Sequence, residues 1–302
     1  MTSQFVVDGL VSGVVIGLGA AGVTLTYSIL RFANFAQGDY ISWGAYGTLV
    51  LDAALGALVG GHVPALGALS FGWTLPLAML VAALLTAGLA LLLELILFGP
   101  LRRQGTALVS VMASFGASLA LRSALEFLFT SRPAYFSRDL QIAMPVGFGL
   151  KITPNALAVL ATAAVLVLLL HLGLTRTRAG RAMRAVSENP GLARLAGVDV
   201  ARIIRLTWMV GGALSCAAGV ALGLVVQIRP VMGFDLLLPI FAAAILGGIG
   251  SVPGAVAGGL IVGLTEAAAV PLVGAEWRAA VSFVVLILVL LLRPTGLFGR
   301  SE

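Results

Sequence analysis

Long apolar runs interrupted by short charged breaks dominate this chain, and they decide its solvent before any motif is considered. The runs fall at roughly 9–30, 40–60, 74–97, 106–128, 155–173, 206–226, 237–270 and 277–292. A membrane-spanning helix needs about 20 mostly apolar residues, and most of these runs supply them. Of the 302 residues, 60% are hydrophobic and 10% charged; a soluble domain carries about 25% charged residues because its surface must face water. Backbone in lipid has to satisfy its own N–H and C=O groups, so helices are the default. The expected fold is an all-α integral membrane protein, a polytopic bundle of about eight transmembrane helices, with seven to nine as the limits set by span length. It forms a single transmembrane domain over 1–302.

Charge then gives sidedness. The formal net charge is +6, and the segment 175–205 carries five of those six charges, with seven arginines against Glu188 and Asp199. Under the positive-inside rule this segment is cytoplasmic. Counting helices from it puts Arg31, Arg102, Arg103, Arg293 and Arg300 inside and the loop 129–154 outside. Residues 1–8 lack the basic start of a cleaved leader, so the run that follows reads as a retained first helix. The run 237–270 is too long for one span and short for two. Gly247-Gly248-Ile249-Gly250-Ser251 and Pro253-Gly254 interrupt it, which predicts a helical hairpin or a broken, re-entrant pair.

Several chemistries have no foothold. There is no G-x-x-x-x-G-K-[ST] phosphate loop, no H-E-x-x-H and no G-x-S-x-G elbow. Cys216 is the only cysteine and lies in an apolar run, while His62 and His171 are far apart. No midplane carboxylate or ladder of buried acids suited to proton coupling is evident. An enzyme is therefore not expected, and a passive or externally driven pore is. Gly9/Gly13/Gly17, Gly219/Gly223, Gly254/Gly258 and Gly259/Gly263 have the four-residue spacing of close helix packing and are assigned no transport role. Arg122 and Glu126 lie four apart near the outer end of their run, which predicts a structural ion pair on one helix face.

The segment Thr175–Arg205 carries the strongest local signal. Ser187 or Asn189 is placed to cap a short helix beginning at Pro190, Gly197 to end it, and Asp199 to cap the next. A short amphipathic helix across the cytoplasmic face is what a transporter needs if a separate motor is to push it; a merely solvated basic loop is the plainer alternative. The three polar residues Asn34, Gln37 and Asp39 lie on what reads as a Gly-containing break between two spans. Polar backbone at membrane depth is tolerated only against protein or water, which places them beside a solute path unless they are ordinary interfacial loop residues next to Arg31.

Three blocks together resemble one family. ENPGLARLAGVD resembles the cytoplasmic coupling segment of ABC-importer permeases of the branched-chain amino acid type. Thr24–Tyr46 (TLTYSILRFANFAQGDYISWGAY) is similar to that family's N-F-A-H-G-E…G-A-Y block, and Phe241–Gly259 (FAAAILGGIGSVPGAVAGG) to its A-A-x-x-G-G-x-G-S-x-x-G-A block. They occur in the family's order, and the similarity covers essentially the whole chain. The resemblance implies the H-type membrane subunit of a high-affinity leucine/isoleucine/valine importer, with a type II-like permease fold, in a bacterial inner membrane. It implies as partners a second homologous permease subunit, two cytoplasmic ATPase subunits and an external substrate-binding protein. ATP is used by the ATPases, and this chain is expected to bind no cofactor, metal or nucleic acid. Coupling to the ATPases then falls to Arg184, Glu188, Asn189, Pro190, Ala193, Leu195 and Gly197. The solute pathway falls to Asn34, Gln37, Asp39, Gly247, Gly248 and Glu266. Gln37 stands where the family has histidine and Asp39 where it has glutamate, which leaves urea, short amides or another small polar solute as alternative cargo. A stand-alone secondary transporter is the alternative from a different class; it needs mid-membrane carboxylates and paired broken helices.

Overall fold

A computed structural model describes residues 4–60, 64–104, 106–137, 141–147, 150–293 and 296–298. His62 and Arg300, named above, lie outside the described residues. The elements in order are α1 (Gln4–Leu30), α2 (Ala36–Leu58), α3 (Thr74–Leu93), a π-helical turn (Glu94–Phe98), α4 (Gly99–Gln104), α5 (Ala107–Phe129), β1 (Met144–Gly147), β2 (Leu150–Ile152), α6 (Pro154–Arg176), α7 (Arg178–Glu188), α8 (Pro190–Leu195), α9 (Val200–Val225), α10 (Met232–Asp235), α11 (Leu237–Gly247), α12 (Val252–Val273), a 3-10 turn (Ala275–Trp277) and α13 (Arg278–Leu292). Among the described residues, seven helices are long and apolar enough to cross a membrane: α1, α2, α3 with its continuation to Arg102, α5, α6, α9 and α12. The all-α polytopic bundle is therefore the fold. A small antiparallel β1–β2 hairpin, with Met144 opposite Ile152, interrupts the loop 129–154; nothing in the apolar-run pattern signals so short a pairing.

The awkward run resolves into a short helix followed by a full one. At about 1.5 Å per residue, the 11 residues of α11 reach only partway through a bilayer. Gly248 and Gly250, with φ of +91° and +98°, turn the chain in a region that side chains avoid. Ser251 then caps α12, accepting from Gly254 N at 3.2 Å, with a proline in the first turn.

α1 is the hub of the bundle and runs antiparallel to α12. Gly9, Gly13 and Gly17 face Leu264, Leu260 and Val256 in turn. A Cβ at Gly13 would fall 2.8 Å from the Leu260 Cα, so the two backbones touch directly. Lipid gives helices no hydrophobic drive to associate, and contact of this kind supplies the packing instead. The small-residue spacing thus serves packing, as its pattern predicts. Around this seam Ile16, Leu18, Ile41, Leu214, Ile240, Val262 and their neighbours form the main apolar core.

The two ends of α1 mark the two sides of the bundle. At one end Gln4 Nε2 donates to the Lys151 carbonyl at 2.9 Å, beside the hairpin. At the other, Arg31 Nη2 donates to the Ser187 carbonyl of α7 at 2.6 Å. The arginine-rich segment and the loop 129–154 therefore sit at opposite ends, as the charge count requires. Between α1 and α2 the chain is broken over residues 31–35. Arg31 takes φ +59°, which ends α1, and Phe32 plugs the turn by packing on Phe98 and Trp208, whose rings are stacked 4.8 Å apart.

Candidate functional sites at the arginine-rich face and within the spans

At the arginine-rich face, capping chemistry shapes residues 175–205. Thr177 is extended and its Oγ1 accepts from Gly180 N at 3.0 Å, which starts α7. Met183 and Val186 are buried against Val200 and Ile203, while Arg178, Arg181 and Arg184 are exposed. Asn189 Oδ1 accepts from Gly191 N at 2.9 Å and Leu192 N at 3.0 Å, starting α8 with Pro190 in its first turn. The helix stops in a Schellman arrangement: Gly197 N and Val198 N donate to the Arg194 and Ala193 carbonyls, each at 3.0 Å, with Gly197 at φ +83°. Asp199 Oδ1 then accepts from Arg202 N at 3.0 Å and opens α9. Of the two capping candidates for α8, Asn189 is the cap; Ser187 Oγ donates back to the Arg184 carbonyl instead.

The result is a rigid hook rather than a loose loop. Arg184, Glu188, Asn189, Pro190, Leu195 and Gly197 are exposed on it, whereas Ala193 is buried and anchors α8 to α9. Leu192 and Leu195, 64% and 86% exposed, present an apolar edge outward. A cleft of about 480 Å³ separates α7 from the C-terminal end of α1 and the 249–253 turn, with Arg31, His171, Arg184 and Ser251 among its walls.

Within the spans, the structure moves two of the three polar residues. Gln37 and Asp39 are not on the break; they lie in the first turns of α2, and with Asn34 they are buried rather than interfacial. Gly38 signals a break in the sequence, yet it sits inside the helix because its face meets Gly233 too closely for a side chain. Asn34 Oδ1 accepts from Ala36 N at 3.1 Å and holds the helix start. Gln37 points to α9, its Nε2 donating to Ser215 Oγ at 2.7 Å and the Gly211 carbonyl at 3.2 Å. Asp39 points the other way, to α5, where Ser118 Oγ donates to its Oδ2.

The expected Arg122–Glu126 pair does not form. Arg122 turns inward instead, its Nε 3.5 Å from Asp39 Oδ1 and its Nη2 donating to Ser118 Oγ at 3.3 Å. Its guanidinium carbon lies 4.0 Å from the centre of the Phe234 ring. Glu126 is exposed. Inside the bundle a buried carboxylate is a far better partner for a cation than a solvated one on the same helix.

Gly247 and Gly248 close the C-terminal end of α11, where the Leu246 and Gly247 carbonyls accept from Leu297 N at 2.8 Å and Phe298 N at 3.2 Å. Glu266 is buried in α12 and accepts from Ser282 Oγ of α13. The six pathway candidates therefore do not converge: Gln37, Asp39 and Glu266 face different neighbours. Three carboxylates, Asp39, Glu266 and Glu94, are buried inside the bundle. Glu94, on the π-helical turn, is bound by both Arg102 Nη atoms, at 2.5 and 3.3 Å. A pair eight residues apart has no helical-face rule to announce it.

The family described as branched-chain amino acid transport system / permease component matches residues 5–290. The chain is 33% identical to the high-affinity branched-chain amino acid transport system permease protein LivH of Escherichia coli, over 99% of this chain and 96% of that protein. It is 32% identical to the corresponding permease BraD of Pseudomonas aeruginosa, with the same coverage. A probable LivH permease of Methanocaldococcus jannaschii is 29% identical over 93% of this chain and 87% of its own length.

Proposed function

Because the chain belongs to the branched-chain amino acid transport permease family, we propose that it is the transmembrane permease subunit of an ATP-driven importer. The cargo is a branched-chain or related small amino acid, and the site of work is the bacterial inner membrane. The chain itself binds no ATP and no cofactor. Two cytoplasmic ATPase subunits supply the energy, a second homologous permease completes the channel, and an external binding protein delivers the solute.

The observation that carries this reading is the capped hook of α7 and α8, tied to the end of α1 through Arg31 and Ser187. A hook of this kind turns a push from below into tilting of a spanning helix, and rigid-body tilting is how access switches from one side to the other. Arg184, Glu188, Asn189, Pro190, Leu195 and Gly197 face the ATPases, with Ala193 holding the hook to α9. Asn34, Gln37 and Asp39 support the inner wall of the path, and Gly247 and Gly248 form its inner end.

Uptake of radiolabelled leucine into proteoliposomes holding this chain with its partner subunits and the loaded binding protein tests the proposal. ATP-dependent uptake is expected. Uptake of a neutral solute such as urea, with no amino acid carried, would refute the cargo. One observation favours a second reading, a gradient-driven carrier acting alone: Glu266 is a buried carboxylate with a serine partner. Leucine uptake by this chain alone under a proton or sodium gradient would decide for it.

A further inference from the structure

Asp39 and Arg122 form an ion pair inside the spans that is only half made. Charges at membrane depth are costly and face a bundle interior or a water-filled cavity rather than lipid, so a complete set of partners is the rule. Here Arg122 Nε and Asp39 Oδ1, although 3.5 Å apart, each lack a hydrogen-bond partner among the described residues. Ser118 relays between them, taking a bond from Arg122 and giving one to Asp39. Asp39 is wholly buried, but the Arg122 side chain remains 15% exposed.

The exposed side of Arg122 belongs to a stripe. Met112, Phe115, Leu119 and Arg122 recur at three- and four-residue intervals along one face of α5, and the first three are exposed. Phe234 lies over the guanidinium, and Phe35 packs edge-on against Phe115. One cation set among apolar and aromatic side chains fits a small solute that has a carboxylate at one end and an aliphatic body at the other. An arginine fork matches a carboxylate and does so poorly for a neutral amide.

We propose that Arg122 is a cargo-binding residue, whose guanidinium takes the carboxylate of the passing solute while Asp39 holds it in place between passages. This rests on the importer reading above and deepens it, since it makes the carboxylate the feature recognised inside the membrane.

The test is leucine uptake by the complete importer with saturating loaded binding protein, read beside ATP hydrolysis. Arg122→Gln is expected to cut uptake by about tenfold or more, the worth of one charge-assisted contact, with ATP hydrolysis persisting, so that less cargo moves per ATP. Arg122→Lys keeps the charge and is expected to retain most of the uptake. Asp39→Asn/Arg122→Gln removes both charges and any burial imbalance, and is expected to stay low. Restored uptake in that double variant would make the pair merely structural and overturn the proposal, as would unchanged uptake in Arg122→Gln. A wild-type importer carrying urea and no amino acid would sink the importer's cargo and this inference together; a leucine-carrying wild type matched by Arg122→Gln sinks this inference alone.

Discussion

Gln37 shows how a single polar side chain couples two spans. It bridges α2 to α9 through Ser215 and Gly211, and Gly22 of α1 leaves the room for its amide. Replacing it with alanine removes two buried bonds and leaves a cavity, so Gln37→Ala is expected to lower stability by about 1–3 kcal/mol, read as a lower melting midpoint in detergent. The polarity of Asn34, Gln37 and Asp39 at this depth is legible in the sequence; their partners are not. Asp39 meets Arg122 across 83 positions because of how α2 and α5 pack, whereas the four-residue rule points Arg122 at Glu126. Local spacing describes one helix, and this contact belongs to two.

At the scale of the element, α8 is the clearest case of structure written locally. Asn189, Pro190, Gly197 and Asp199 each act within a few residues of themselves, so start, stop and restart are all readable from their order. Asn189→Ala removes the acceptor for two N–H groups and is expected to cost about 1 kcal/mol of local helix stability. Gly197→Val forces a branched side chain to φ +83°, a conformation that costs about 1–2 kcal/mol for an L-residue. Both variants are expected to insert normally while hydrolysing more ATP per leucine imported, measured in the same vesicles. Import per ATP equal to wild type would show that α8 bears no load. The π-helical turn at Glu94 is the opposite case: its bidentate bond to Arg102 spans eight residues, and no sequence period marks it.

For the whole molecule, the glycines divide by what they touch. Gly13→Leu would push a side chain into the α12 backbone and is expected to abolish recovery of folded protein from membranes. Gly173 of α6 has open space around it, so Gly173→Ala is expected to be neutral or to stabilise by about 0.5–1 kcal/mol. Sidedness has its own check. Leu195→Cys is expected to react with a membrane-impermeant thiol reagent only in inside-out vesicles, with the buried Cys216 silent in both orientations; labelling in intact cells would invert the topology.

At Gly13, Gly259 and Gly263, where α1 and α12 meet, backbone lies on backbone, with little side chain between them to shift rotamer and act as a bearing. Such a joint resists sliding and twisting, and the two helices can move only as one beam. The chain unwinds beside this joint at 31–35 and 248–251, and the first stretch is tied to the hook through Arg31 and Ser187. On the importer reading, force applied beneath the membrane is converted into rotation of a stiff lever, with little of it dissipated along the way.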